Sequence, residues 1–220
     1  MVALEWAATF PERTSRAVVF AAPAAHTAWA IGWNHVQRRA LEAGGPEAGL
    51  AIARMVGMLT YRTPGELESR FGRQGGEAES FAVQSYLSRH GTKLVARFDA
   101  GSYRTLLDAM DAHDVGRGRG GIAAALAAAG LRVTGVGIPG DGLYPEEIVK
   151  GWTGEAGAAY AELRSPHGHD AFLLESGPVG TILAGLLETG EALESGRAAL
   201  SPEAVEEEAE RASSFSAASP

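Results

Sequence analysis

Continuous apolar runs and stretches of helical period alternate along the chain and divide it into three parts. Residues 1–10 set Val2, Leu4, Trp6 and Ala7 on a helical pattern that Pro11 and Glu12 stop. No Ser, Thr, Asp or Asn stands in front of this helix as a cap, so the chain reads as one that starts inside an element. Arg16-Ala-Val-Val-Phe-Ala-Ala22 is a short unbroken apolar run, which fits a buried strand, and Pro23 ends it. From about Ala24 to His113 the period is helical and no strong strand signal occurs. The predicted helices run over His26–Leu41, Pro46–Leu59, Ser80–Arg89 and Ser102–Ala112, with a loop at Gly72–Gly76. Thr63-Pro-Gly-Glu66 predicts a helix start, Thr63 as cap and Pro64 in the first position.

Gly116-Arg-Gly-Arg-Gly-Gly121 reads as a flexible basic connection. Beyond it the apolar pattern changes again. Ile122–Ala129 is an Ala-rich helix closed by Gly130. Leu131–Ile138 is a strand, Tyr144–Lys150 begins a helix with Pro145 near its first position, and Ala158–Leu163 is a strand. Gly177-Pro178 opens a helix to about Leu187. Strand and helix alternating at this spacing predict βαβ units and a parallel sheet, so the class is α/β with a helical subdomain inserted between core elements. Glu191–Pro220 is weakly apolar; a short acidic helix is expected from Ser201 to Arg211 and disorder after it.

Composition narrows the functional classes. Hydrophobic residues make up 45% of the 220, enough for a packed core. The net charge of −8 argues against a nucleic-acid or anionic-membrane surface. The sequence has no cysteine, which excludes disulfides, thiolate metal sites and a Cys nucleophile. No apolar run is long enough to span a bilayer, and Met1-Val-Ala-Leu-Glu-Trp lacks the basic start of a signal peptide, so a cytoplasmic location is expected.

The chemistry concentrates in two glycine-rich turns, each following a predicted strand. Pro139-Gly-Asp-Gly142 carries Asp141, and Ser165-Pro-His-Gly-His-Asp170 carries His167, His169 and Asp170. A carboxylate that accepts from one imidazole nitrogen leaves the other nitrogen free to deprotonate a hydroxyl. Asp141 and His169 therefore fit two members of a nucleophile–His–acid triad, in the loops after strands where α/β folds place their sites. The same residues also fit a plainer description, with Asp141 forming a turn and His169 capping a helix. Asp170 could hold a cationic substrate group or serve as a helix N-terminal acid. Two histidines at i and i+2, with no third nearby, make a poor metal site, and none is expected. Arg54 and Tyr61, seven apart, share a helix face two turns apart. A guanidinium and a phenol there could hold a carboxylate, or could lie as amphipathic side chains at a helix interface.

Two stretches match G-x-G-x-x-G. Gly116/Gly118/Gly121 follows a helix, not a strand, and so lacks the context of a dinucleotide turn. Gly135/Gly137/Gly140 follows a strand, with Glu162 about 20 residues on, which makes a Rossmann-like dinucleotide binder the runner-up. Its first two glycines lie inside the strand, and Pro139 removes an N–H that would face a phosphate.

A series of matches in order resembles one family. These are Ala3-Leu-Glu-Trp-Ala7, Phe10-Pro-Glu-Arg13, Arg16-Ala-Val-Val19, Asn34-His-Val-Gln-Arg38, Gly49-Leu-Ala-Ile-Ala-Arg54 and Leu59-Thr-Tyr-Arg62. Further on come Ser85-Tyr-Leu87, Phe98-Asp-Ala-Gly-Ser-Tyr103, Ala109-Met-Asp-Ala-His-Asp114, Gly116–Gly121, Asp141-Gly-Leu-Tyr-Pro145 and Gly168-His-Asp-Ala-Phe-Leu173. Over roughly residues 1–187 the sequence is similar to the homoserine O-acetyltransferases of methionine biosynthesis, acyltransferases of the α/β-hydrolase fold.

The resemblance implies the C-terminal part of that fold. Residues 1–24 and 114–190 would form a partial core, 25–113 a helical lid, and 191–220 an acidic, weakly ordered tail. It implies ping-pong acyl transfer from acetyl-CoA, as co-substrate, to the hydroxyl of L-homoserine, with no resident cofactor. Asp141 would be the triad acid and His169 the general base. Asp170 would hold the substrate amino group, with Arg54 and Tyr61 around its carboxylate. The lid would also build a homodimer. In two respects the sequence departs from the family. The family's nucleophile sits in a Gly-Gly-Ser-Met-Gly-Gly elbow directly before the stretch that matches Met1, and no G-x-S-x-G occurs in these 220 residues. A second departure is a shorter connection at Leu41-Glu-Ala-Gly-Gly-Pro46. The expectation is a C-terminal portion, inactive as it stands, of an acyltransferase with this mechanism. The alternative is a non-catalytic remnant or interaction subunit of the same family.

Overall fold

The computed structural model describes residues 1–75, 81–127 and 132–188. In chain order the elements are α1 Val2–Thr9, β1 Arg16–Phe20, α2 Ala28–Gly44, α3 Leu50–Tyr61, α4 Pro64–Phe71, α5 Ala82–Val95 and α6 Ala100–Asp111. They continue with α7 Ile122–Ala127, β2 Arg132–Gly137, α8 Glu146–Ala156, β3 Ala159–Glu162, α9 Ala171–Leu174 and α10 Ser176–Glu188. The expected alternation of strand and helix is present. The three strands form one parallel sheet in the order β1-β2-β3, with Ala17 beside Val133 and Gly135 beside Tyr160. Helices α2 to α6 lie between β1 and β2 in sequence, which is the expected insertion.

Alternation along the strands divides the core into two layers. Ala17, Val19 and Val133 face α1, α7 and α8, where Leu4, Ala7, Leu126, Val149 and Trp152 close the first layer. Val136 lies in the second layer, with Val18 and Phe20 packed against it, and is joined there by Ile138, Leu163, Ala171 and Ile182. β1 pairs only with β2 among the described residues, and beside it Val2 and Trp6 of α1 are 81% and 49% exposed. None of the described helices is long and apolar enough to cross a membrane.

The structure shifts several predicted boundaries for identifiable reasons. α2 starts after Thr27, whose hydroxyl accepts from Ala30 N at 3.2 Å and so caps a helix that the pattern began at His26. The predicted Pro46–Leu59 helix is a π-turn over Gly45–Gly49 followed by α3. A Cβ on Gly49 would lie 2.5 Å from the Ala40 carbonyl oxygen, so the close return of the chain onto α2 requires glycine. Thr63 caps α4 as expected, its hydroxyl 3.0 Å from Glu66 N. Pro145 stands just before α8, not within it. Gly116–Gly121, expected to be a loose connection, is held by Arg119, which donates to Val115 O at 2.8 Å, Glu5 Oε2 at 3.1 Å and Thr9 Oγ1 at 3.1 Å. The expected Gly130 cap, part of the Gly72–Gly76 loop, the acidic helix and the tail lie outside the described residues.

The glycines that suggested a dinucleotide turn have a packing role instead. A Cβ on Gly135 would lie 2.5 Å from Thr153, 2.7 Å from Trp152 and 2.8 Å from Val149, because α8 rests directly on β2. A Cβ on Gly137 would meet the Tyr160 hydroxyl at 2.5 Å. Gly140 is followed by a turn and not by a helix, and Glu162 pairs with Lys150 and Arg164. These residues do not make a phosphate cradle. Gly135→Ala should lower stability by about 1–3 kcal/mol through overpacking of the α8–β2 contact. An unchanged urea midpoint would contradict this close approach.

Candidate active site

The two glycine-rich turns meet at the C-terminal end of the sheet, after β2 and β3. Asp141 has no exposed side-chain surface, and each of its oxygens has its own task. Oδ1 accepts from Leu143 N at 2.8 Å and Tyr144 N at 2.9 Å, closing the turn. Oδ2 is 2.8 Å from His169 Nδ1. The turn-former and acid descriptions of Asp141 are therefore compatible. A carboxylate only accepts, which assigns the proton to Nδ1 and leaves Nε2 with a free lone pair. Among the described residues Nε2 has no hydrogen-bond partner.

His169 lies in a 3₁₀ turn, Gly168–Asp170, that leads into α9. Gly168 has φ +67°, and a Cβ there would be 3.1 Å from Thr63 Cγ2 and 3.3 Å from Tyr61 O. Thr63 Oγ1 also donates to Pro166 O at 2.8 Å. The turn is thus seated against the junction of α3 and α4. Tyr61, Tyr144 and Phe172 surround the imidazole, with ring centroids 5.8, 5.4 and 5.5 Å away. The His169 side chain remains 15% exposed.

Arg54 and Tyr61 do share one face of α3, with the guanidinium 5.6 Å from the centre of the phenol ring. Arg54 has no carboxylate partner among the described residues. Burial raises the Tyr61 pKa, opposed by Arg54, so the phenol stays protonated and can donate. Asp170, next to His169, makes no helix-capping hydrogen bond with its side chain. It lies 3.3 Å from Arg62 Nη2, an ion pair whose side chains are 12% and 16% exposed. Arg62 Nη1 also donates to both Glu66 oxygens, at 3.1 and 3.3 Å. Arg62 and Glu66 were not singled out from sequence, although their i,i+4 spacing after Tyr61 was a usable signal. Of the five predicted residues, Asp141 and Tyr61 touch the His169 imidazole directly, and Arg54 and Asp170 are the two charges that act on Tyr61.

Known proteins bear on this geometry. No protein-family profile matches the chain. The homoserine O-acetyltransferase of Thermus thermophilus is 46% identical over 197 residues, which is 85% of this chain and 50% of that protein. The crystal structure of homoserine O-acetyltransferase from Staphylococcus aureus superposes with a TM-score of 0.70 at 27% identity, covering 87% of this chain and 57% of the other. Esterase E22 shares the fold at 14% identity, with a TM-score of 0.70 over 81% of this chain and 56% of its own. The chain spans about half the length of the curated relatives it matches. With the parallel sheet, the buried acid–imidazole pair after its strands and this degree of identity, the chain belongs to the homoserine O-acetyltransferase family of the α/β-hydrolase fold.

Proposed function

We propose that the chain carries the acid–base half and the acceptor pocket of an acyl transfer from acetyl-CoA to the hydroxyl of L-homoserine. The observation that supports this best is the 2.8 Å bond between buried Asp141 and His169 Nδ1, with Nε2 unpartnered among the described residues, Tyr61 against the ring and Arg54 against Tyr61. The nucleophile is the family's elbow serine, which these 220 residues do not contain. In the first half-reaction His169 takes the serine proton as the oxygen attacks the thioester carbonyl. The tetrahedral intermediate collapses to acyl-serine, and His169 returns the proton to the departing CoA sulfur. In the second, His169 deprotonates the homoserine hydroxyl, which attacks the acyl-serine; the proton returns to serine as the ester leaves. Arg54, with no carboxylate partner among the described residues, holds the substrate carboxylate with the Tyr61 hydroxyl. Asp170 holds the ammonium and shares its charge with Arg62.

Large apolar side chains on the inserted helices support their role in a homodimer: Trp29 is 56% exposed, Val36 47%, Ile52 48% and Leu106 53%. A second reading, a non-catalytic subunit that keeps this surface, rests on the same exposed apolar side chains. One assay separates the two. The chain is joined to the serine-bearing half of a family member and supplied with acetyl-CoA and L-homoserine. Release of CoA thiol with formation of an O-acetyl ester, in ping-pong kinetics, supports acyl transfer; no turnover by a folded fusion sinks it. Parallel reactions with succinyl-CoA and with L-serine fix donor and acceptor. In that fusion Arg54→Lys should raise KM for homoserine roughly 10- to 100-fold and leave kcat nearly unchanged, because a point charge replaces a two-pronged donor. An unchanged KM would remove Arg54 from the pocket.

A further inference from the structure

A second series of acid, imidazole and hydroxyl lies behind the first and has no part in the chemistry above. His26, just before α2, has a side chain only 1% exposed. Its Nδ1 lies 3.0 Å from Asp111 Oδ1 at the end of α6, and its Nε2 lies 2.9 Å from the Tyr144 hydroxyl. Asp111 is held from α2 by Asn34 Nδ2 at 2.7 Å and by the Arg38 guanidinium. As with the first pair, the carboxylate assigns the His26 proton to Nδ1, so Tyr144 donates its hydroxyl hydrogen to Nε2. Burial lowers the His26 pKa and raises that of Tyr144, which keeps both neutral in this arrangement.

The far end of this series reaches the active site. Tyr144 N donates to Asp141 Oδ1 at 2.9 Å, and the Tyr144 ring stands edge-on to His169 at 5.4 Å. Trp29 of α2 gives the same turn a second tie, donating from Nε1 to Gly142 O at 2.8 Å. We propose that His26 is a positioning residue: through Tyr144 it anchors the 141–144 turn to the inserted helices and keeps Asp141 aimed at His169 Nδ1. The inserted helices then do more than cover a pocket, because they hold the acid of the pair in place. This rests on the acyl-transfer reading only in calling His169 the base.

The test uses the 220-residue chain without substrate, so its outcome is independent of any turnover assay. Long-range proton–nitrogen NMR of the histidine rings reads the Nδ1–H to Nε2–H tautomer ratio of His169. The ratio should strongly favour Nδ1–H in the unaltered chain. Tyr144→Phe keeps the ring and loses only the hydroxyl, and His26→Phe loses both bonds. Each breaks the bond between His26 and Tyr144 and should lower the ratio roughly three- to tenfold, the effect of that one lost hydrogen bond. His26→Gln, which can donate to Asp111 and accept from Tyr144, should restore it to within about twofold of the unaltered value. Gly135→Ala, which disturbs the α8–β2 contact but removes none of these hydrogen bonds, serves as the control for general loosening. A ratio that holds in Tyr144→Phe, or falls equally in Gly135→Ala, overturns the proposal. Tyr144→Phe decides the matter if His26→Phe does not fold.

Discussion

Replacing His169 by alanine should cut kcat by about 10⁴- to 10⁶-fold when the chain is joined to the serine-bearing half of a family member. A serine hydroxyl is a poor nucleophile unless a base takes its proton as it attacks, and the CoA sulfur leaves more readily when a proton is returned to it. The homoserine hydroxyl faces the same barrier in the second half-reaction. In the proposed mechanism one imidazole serves all of these transfers, so neither half-reaction has another path. The loss should appear in single-turnover acylation as well as in steady-state turnover. The ring fills a space among Tyr61, Tyr144 and Phe172, so the variant should be checked by circular dichroism before its kinetics are read. Retained turnover within about 100-fold, from a folded protein, would remove His169 from the chemistry.

The parts of this site that were legible in the sequence share a cause. Asp141 and His169 lie in turns marked by glycine and proline, each just after an apolar run, and a strand end determines where such a turn sits. Arg54 and Tyr61 follow from the period of one helix. Thr63 was readable as a cap because capping is a contact over three residues. The relations that were not legible are those made across the fold. His26 and Tyr144 are 118 positions apart, and nothing local in either stretch points to the other. From sequence Asp170 reads as a holder of a cationic group or a helix N-terminal acid, and its pairing with Arg62, 108 positions away, is not legible.

Glycine gives the clearest case of a pattern with a different physical origin from the one it suggests. Gly135 and Gly137 satisfy the spacing of a phosphate-binding turn, but α8 and Tyr160 occupy the space a side chain would need. Sequence spacing cannot distinguish glycine required by an approaching ligand from glycine required by an approaching helix. The surrounding elements do, since no helix starts where the phosphate would bind.

Asp141→Asn should separate geometry from charge and lower kcat by on the order of 10⁴-fold with little loss of structure. The asparagine carbonyl can keep the two turn hydrogen bonds from Leu143 N and Tyr144 N that Oδ1 accepts now. The amide NH₂ then takes the place of Oδ2, 2.8 Å from His169 Nδ1. Two donors cannot face each other there, so Nδ1 must give up its hydrogen and accept from the amide. The ring proton moves to Nε2, where the serine and homoserine hydroxyls need a lone pair. Imidazolium formed during each transfer also loses its countercharge. The same NMR spectrum that reads the His169 tautomer should show this inversion, with Nε2–H dominant in the variant. A folded Asp141→Asn protein that keeps Nδ1–H and near-normal turnover would show that Asp141 only forms the turn, with no part in setting the proton on His169.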